Sequence, residues 1–176
     1  MEVTIIVDVL RRGGIEVTLA GIAGPDPVTC SRGVRLVPDR DLASVEGDFD
    51  VIVLPGGLDG THELADSVRV GELLKSQVEA GLPVAAICAA PLALARHGIA
   101  AGLPMTCHPS VADVVGAHGV LTEGRVVDTP GLITSQGPGT AFEFALALVA
   151  RLVDAETAAS LPGPMILGAP FSSSRG

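Results

Sequence analysis

The chain predicts an α/β fold with a mostly parallel sheet, and three observations carry that expectation. Glycine and proline recur roughly every ten to twenty positions, as alternating strands and helices require. Asp50-Val51-Ile52-Val53-Leu54 is a continuous apolar run ending in Pro55-Gly56-Gly57, the pattern of a strand covered on both faces. A second run, Val84-Ala85-Ala86-Ile87, ends at Cys88 and passes at once into the small, helix-prone Ala89-Ala90-Pro91-Leu92-Ala93.

The remaining elements follow in order. Val3 to Arg12 reads as a helix stopped by Gly13-Gly14, and Ile15 to Ala20 as a strand closed by Gly24-Pro25-Asp26-Pro27. A short strand is expected near Gly33 to Val37. Val68, Leu73, Leu74 and Val78 recur near helical spacing and predict a helix ending at Gly81, before the strand that leads to Cys88. A helix over 89–97 follows. Gly131 to Thr134 reads as a strand, and Gly137-Pro138-Gly139-Thr140 opens a helix with Pro138 in its first turn. Phe142, Ala145, Leu146 and Val149 make one apolar face of that helix. Phe144 and Leu148 extend it to a second side, so it is buried within the subunit or shared with a partner, burial being the favoured reading. A parallel sheet normally begins with a strand feeding its first helix, whereas this chain begins on the helix, so the sheet is expected to lack its first strand.

With 176 residues, 48% of them hydrophobic, the chain can bury one sizeable core, expected as a single domain over 1–170 with a frayed tail at 171–176. No apolar run is long enough to span a bilayer, and the amino-terminal residues lack a secretory pattern, which makes a cytoplasmic location the expectation. Three cysteines, Cys30, Cys88 and Cys107, are too few and too irregular for a disulfide framework. A net charge of −9, without Trp, Tyr or a basic cluster, disfavours stable nucleic-acid binding.

A strand turning into a helix at a cysteine makes a nucleophile elbow. It lifts the sulfur above the carboxyl edge of the sheet toward the positive end of the next helix, where a thiolate is favoured. The alternative is a buried cysteine acting as a small hydrophobe. The turn at Pro55-Gly56-Gly57 should lie on the neighbouring strand's carboxyl end, the edge at which open α/β sheets bind ligands. The N–H groups of Gly57 and Ala89 could there hold an oxyanion formed when the thiolate attacks a carbonyl. His108, in Cys107-His108-Pro109, is the candidate base or donor, set against the reading that a lone histidine before proline is a loop residue. His62, His97 and His118 are less well placed. No histidine, cysteine or carboxylate spacing makes a zinc pattern, so neither metal nor cofactor is expected.

Taken together, Val7-Asp8-Val9-Leu10-Arg11-Arg12, Val17-Thr18-Leu19-Ala20-Gly21, Cys30-Ser31-Arg32, Val53-Leu54-Pro55-Gly56-Gly57, Ala85-Ala86-Ile87-Cys88-Ala89, and Gly137-Pro138-Gly139-Thr140 with Phe142-Glu143-Phe144-Ala145-Leu146 closely resemble the protein deglycases of the PfpI-like superfamily. The resemblance covers nearly the whole chain. It implies a flavodoxin-like three-layer sandwich and a homodimer. It also implies an oxidisable nucleophile at Cys88, a functional histidine at His108, a glutamate at Glu2 that hydrogen-bonds the cysteine sulfur, and an oxyanion-binding turn at Gly57 and Ala89. Read alone, Glu2 is an acidic residue welcomed by the helix dipole.

Departures from the family pattern are also visible. The strand preceding the Glu2 helix has no counterpart here; if Met1 is a true terminus, its ammonium is expected beside Glu2, favouring the ionised form. Ala90 replaces a glycine, Gln136 an arginine, and Val37 a cysteine. Ala89 stands where the superfamily's proteases and amidotransferases carry His or Gly, which disfavours peptidase activity.

The resemblance implies cofactor-free glyoxalase and deglycase chemistry on α-oxoaldehydes such as methylglyoxal or glyoxal and on their early adducts with proteins or nucleotides. It also implies protection against oxidative stress in cytoplasm, nucleus and mitochondrion. A rival reading is a redox-sensing chaperone whose Cys88 is oxidised to a sulfinate and whose oxidised dimer binds client proteins. A third is a shortened, inactive paralogue.

Overall fold

Residues 1–168 are described by a computed structural model of the chain; the predicted tail at 171–176 lies outside them. Helix α1 (Glu2–Arg12) buries Ile6, Val9 and Leu10, a stripe at helical spacing, and carries Glu2 in its first turn and Arg11 and Arg12 in its last, as the helix dipole favours. Four two-residue strands follow. β1 (Ala20–Gly21) pairs in parallel with β4 (Arg40–Asp41), and β2 (Val28–Thr29) pairs antiparallel with β3 (Arg35–Leu36).

The main sheet begins with β5 (Ile52–Leu54), followed by α2 (Leu58–Asp66), α3 (Val68–Glu79) and β6 (Val84–Ile87). Ser67 caps α3 by accepting a hydrogen bond from the N–H of Val70. After β6 come α4 (Pro91–His97), β7 (Pro104–Met105), α5 (Ala112–His118), β8 (Val120–Leu121), β9 (Val126–Thr129), β10 (Leu132–Ser135), α6 (Ala141–Leu152) and α7 (Ala155–Ser160). The sheet order is β5-β6-β10-β9, with β5 and β10 parallel to β6 and β9 antiparallel to β10.

Alternation along the strands sorts the core into two layers. Val84 and Ala86 of β6 and Leu132 of β10 face a cluster with Leu64, Leu74 and Leu94 from α2, α3 and α4. Ala85, Ile87 and Ile133 face the opposite way, toward Val9 of α1 and Phe144 and Val149 of α6. The result is the expected three-layer α/β sandwich. The two-sided apolar character of α6 is satisfied inside the subunit, with Phe144, Leu146 and Leu148 all buried.

Two expectations need correction. The predicted strand over 15–20 does not form: only Ala20 enters a ladder, in β1. Its physical reason lies beside β5. Among the described residues β5 pairs only with β6, and its other edge faces an apolar cavity of about 550 Å³ walled by Leu19, Ala20, Val51, Val53, Leu64 and Val70. Among the described residues no strand lies in that gap, and 15–19 joins no ladder there. Polar side chains hold it instead: Arg11 Nη2 donates to Val17 O (2.8 Å) and to Asp39 Oδ2 (2.7 Å), which also accepts from Leu19 N–H (2.9 Å). The Leu19 N–H, aided by Arg11, lowers the Asp39 pKa against a smaller opposing effect of burial. The second correction is to the helix predicted over 89–97. It starts at Pro91, because Cys88 to Ala90 form the turn itself.

Candidate active site at the Cys88 elbow

β6 is covered on every side: all four residues are fully buried, and it is paired on both edges, with β5 and with β10. Cys88 is the next residue, and its φ of 65° lies in the left-handed region that a side chain rarely adopts. The turn is held from both ends. Cys88 N–H donates to Ser135 O (2.9 Å) at the end of β10, and Cys88 O accepts from His108 N–H (2.8 Å). The elbow expected from the sequence is therefore present, anchored on a fully buried strand paired on both edges.

Glu2 reaches the same point from the first turn of α1. It is buried, and its Oε2 accepts a hydrogen bond from Gly56 N–H (3.1 Å), while Oε1 is buried without a hydrogen-bond partner. No ion pair joins Glu2 to the Met1 amino group among the described residues. The two turn glycines have different reasons to be glycine. Gly57 has φ 99°. At Gly56 a Cβ would lie 2.4 Å from Cys88 Cβ, 2.6 Å from Glu2 Oε2 and 2.9 Å from Ile87 O, so only hydrogen lets the turn, the carboxylate and the elbow meet.

The N–H groups of Gly57 and Ala89 donate to the Cys88 sulfur. Their aim differs from the sequence-based expectation in that the sulfur itself is their first partner. Burial pushes the Cys88 thiol up from 9.0 to about 11, helped by the Glu2 charge and its hydrogen bond, while the two N–H groups act in the opposite direction. The expected stabilisation of the thiolate by the helix end is thus outweighed. At neutral pH the resting group is a thiol.

His108 is half-buried and is oriented by Ser110: Ser110 N–H donates to Nδ1 (3.2 Å), and the Ser110 hydroxyl lies 2.8 Å from the same atom. Nδ1 as acceptor leaves the neutral ring's proton on Nε2, with the Cδ2 edge turned toward Gly137. The other histidines are placed elsewhere. His97 packs on Gly71 and bonds Leu64 O (2.9 Å), His118 bonds Ile99 O (2.7 Å), and His62 is exposed on α2. Cys30 is half-exposed and far along the chain from the elbow, and Cys107 is buried in the core, where burial raises its thiol pKa.

Residues 1–151 match the DJ-1/PfpI family. The chain belongs to that family. It is 50% identical to the Parkinson disease protein 7 homolog of Danio rerio over 171 residues, 95% of this chain and 90% of that protein. It is 45% identical to the glutathione-independent glyoxalase DJR-1.2 of Caenorhabditis elegans over 169 residues, covering 95% of this chain and 89% of that protein. The crystal structure of Drosophila melanogaster DJ-1beta superposes with a TM-score of 0.92 at 44% identity, covering 95% of this chain and 91% of that one.

Within this DJ-1/PfpI fold, the structure brings together Cys88, Glu2, Gly57 and Ala89, with His108 bonded to the elbow through its backbone. Gly56 and Ser110 complete the setting. Gly56 is visible in the sequence only as part of a turn, and Ser110 only as a hydroxyl two residues beyond a candidate histidine. The departures are absorbed locally. Ala90 is fully buried in a right-handed helical conformation that accepts its methyl, Gln136 donates to Glu123 O (3.4 Å), and Val37 is exposed. Among the described residues no three His, Cys, Asp or Glu side chains converge as a metal set, and no helix is long and apolar enough to cross a membrane.

Proposed function

We propose that the chain is a cofactor-free glyoxalase and deglycase in which Cys88 attacks the aldehyde carbon of an α-oxoaldehyde such as methylglyoxal, or of its early adduct with an amine. The observation that carries this reading is the half-buried thiol placed against Glu2 with two backbone N–H groups on its sulfur. The thiol proton passes to the Glu2 carboxylate as the C–S bond forms, and the aldehyde oxygen takes a proton to give a hemithioacetal. The Gly57 and Ala89 N–H groups hydrogen-bond the sulfur beforehand and lie beside the new oxyanion afterwards. His108, with its proton on Nε2, hydrogen-bonds the substrate oxygen. The C1 hydrogen then leaves as a proton and is returned to C2, so that the aldehyde carbon is oxidised and the ketone carbon reduced within one molecule. Water cleaves the resulting thioester to lactate and restores the thiol. For an amine adduct, the amine departs with its lone pair.

The glyoxalase activity in the name of the nematode relative supports the substrate class. The test is lactate formation from methylglyoxal followed by NMR. Purified chain should produce lactate, and Cys88→Ala should not; equal turnover by the two would remove the reading.

A second reading, oxidation of Cys88 to a sulfinate as a sensing event, is favoured by the same sulfur's partial exposure, and a neighbouring fold has been solved as oxidised Toxoplasma gondii DJ-1. Limited peroxide followed by intact mass should add two oxygens at Cys88 ahead of Cys30 and Cys107. Even oxidation of all three would count against it.

A further inference from the structure

We infer that Gly137 sets the size of the group a substrate may carry next to its reacting carbonyl, an inference that rests on the proposed attack by Cys88. Gly137 is buried in the turn between β10 and α6. A Cβ placed on it would meet two atoms within 4 Å, apart from its chain neighbours: Cys88 Sγ at 4.0 Å and His108 Cδ2 at 3.6 Å. The missing side chain of Gly137 therefore leaves a methyl-sized space that touches both the nucleophile and the imidazole.

That space has the right position for one particular substrate atom. A carbonyl carbon poised for attack lies about 3–3.5 Å from the nucleophile, which puts the next atom along, or its substituent, roughly 4 Å away. In methylglyoxal these are the ketone carbon and its methyl, and in glyoxal a second, unsubstituted aldehyde. The 3.6 Å contact to His108 is ordinary van der Waals packing, so a methyl there is accommodated.

Gly137 is not required by the backbone. Its φ of 164° is extended, and its hydrogen bonds with Thr140 are made by its backbone N–H and C=O, both of which alanine keeps. Gly137→Ala should therefore fold normally and fill the space with a methyl. One methyl in such a pocket is worth about tenfold or more in discrimination. Gly139→Ala, in the same turn but exposed and facing no atom within 4 Å, serves as control.

Two measurements decide the matter. Turnover of glyoxal and methylglyoxal by wild type, Gly137→Ala and Gly139→Ala gives a ratio of kcat/KM values, which should shift about tenfold toward glyoxal in Gly137→Ala alone. Mass-spectrometric rates of Cys88 alkylation by iodoacetamide and by the bulkier N-ethylmaleimide give a second ratio, independent of turnover, which should shift toward iodoacetamide in the same variant. If both ratios in Gly137→Ala equal those of wild type, the inference is wrong while the proposed reaction stands. If wild type turns over neither aldehyde, the proposed reaction fails and so does the substrate role of Gly137, whatever the alkylation ratio shows about access to the sulfur.

Discussion

The two sides of the sheet differ sharply in how they are held. At β6 and β10 every residue is buried and β6 is paired on both edges; at β5 only Leu54 is buried, one edge is paired, and the other borders a 550 Å³ apolar cavity. The site is assembled across that difference. Cys88 and Ala89 hang from the well-packed side, whereas Glu2, Gly56 and Gly57 come from α1 and the end of β5, which flank the cavity. The position of the nucleophile is thus set by the rigid half, and its charge environment by the more weakly held half.

Core truncation should expose the contrast most strongly. Ile133→Ala, in the fully packed layer, should cost about 2–5 kcal/mol, while Val53→Ala, whose side chain already borders empty space, should cost about 1 kcal/mol or less. Denaturant unfolding of the two variants gives the comparison directly. Equal losses would mean that the gap beside β5 is filled in solution. Hydrogen exchange supplies the same contrast without mutation, since the amides of 84–87 should exchange far more slowly than those of 16–18.

Joining the two halves depends on Gly56. Gly56→Ala puts a methyl against the Cys88 Cβ and the backbone of Ile87, neither of which is a flexible chain end. We expect a loss of about 1–3 kcal/mol in stability from overpacking. Methylglyoxal turnover should fall about a hundredfold, because a 1 Å shift of the elbow is enough for that loss. Wild-type kinetics in this variant would show that the two halves adjust independently.

Much of this was legible in the sequence, and what was not has identifiable causes. Apolar runs marked β5, β6 and the start of β10 because strand burial writes itself into consecutive residues, and the Cys88 elbow was visible because strand and helix propensities change at one residue. The 15–20 segment was misread because Ile15, Val17 and Leu19 alternate as a strand should, yet alternation encodes a face and cannot supply a pairing partner. The short helices α2, α5 and α7 make too few turns to show a clear period. At the site, Glu2 came from family resemblance, since nothing in its local sequence says that a first-turn acid points inward. The raised Cys88 pKa was also beyond reach, because it arises from burial and from a carboxylate 86 positions away in the chain.

Glu2→Gln separates the two roles of the weakly held half. Removing the negative charge lowers the Cys88 pKa from about 11 part of the way toward 9.0, with burial still holding it up. Iodoacetamide labelling near pH 8 should therefore rise by roughly tenfold per unit recovered, while methylglyoxal turnover falls about a hundredfold for want of a proton acceptor. Opposite signs are the diagnostic; a parallel fall would assign Glu2 to packing alone. The same pKa has a consequence for stability. The unfolded chain releases this proton near pH 9 and the folded chain near 11, so stability should decline as pH rises between those values, and Cys88→Ala should flatten that part of a Tm profile.

The smallest effect tests whether the strandless segment communicates with the site at all. Asp39 and Arg11 are each nearly half-exposed, so their ion pair contributes little to global stability, about 1 kcal/mol at most. Locally they do more, because Asp39 also accepts the Leu19 N–H and Arg11 also donates to Val17 O, in place of a sheet ladder. Asp39→Asn should therefore speed amide exchange through 16–20 and leave β6 and β10 unchanged. Since the Asp39 pKa is lowered in the folded chain, the wild type should lose the same restraint only as pH falls below the ordinary carboxylate range. Cys88 alkylation should not respond to Asp39→Asn, because Glu2 is fixed by Gly56 and by the packing of α1 on α6 rather than by 15–19. A change in that rate would mean that the loosened margin reaches the sulfur through α1, and that the division between a rigid and a weakly held half runs through the site instead of beside it.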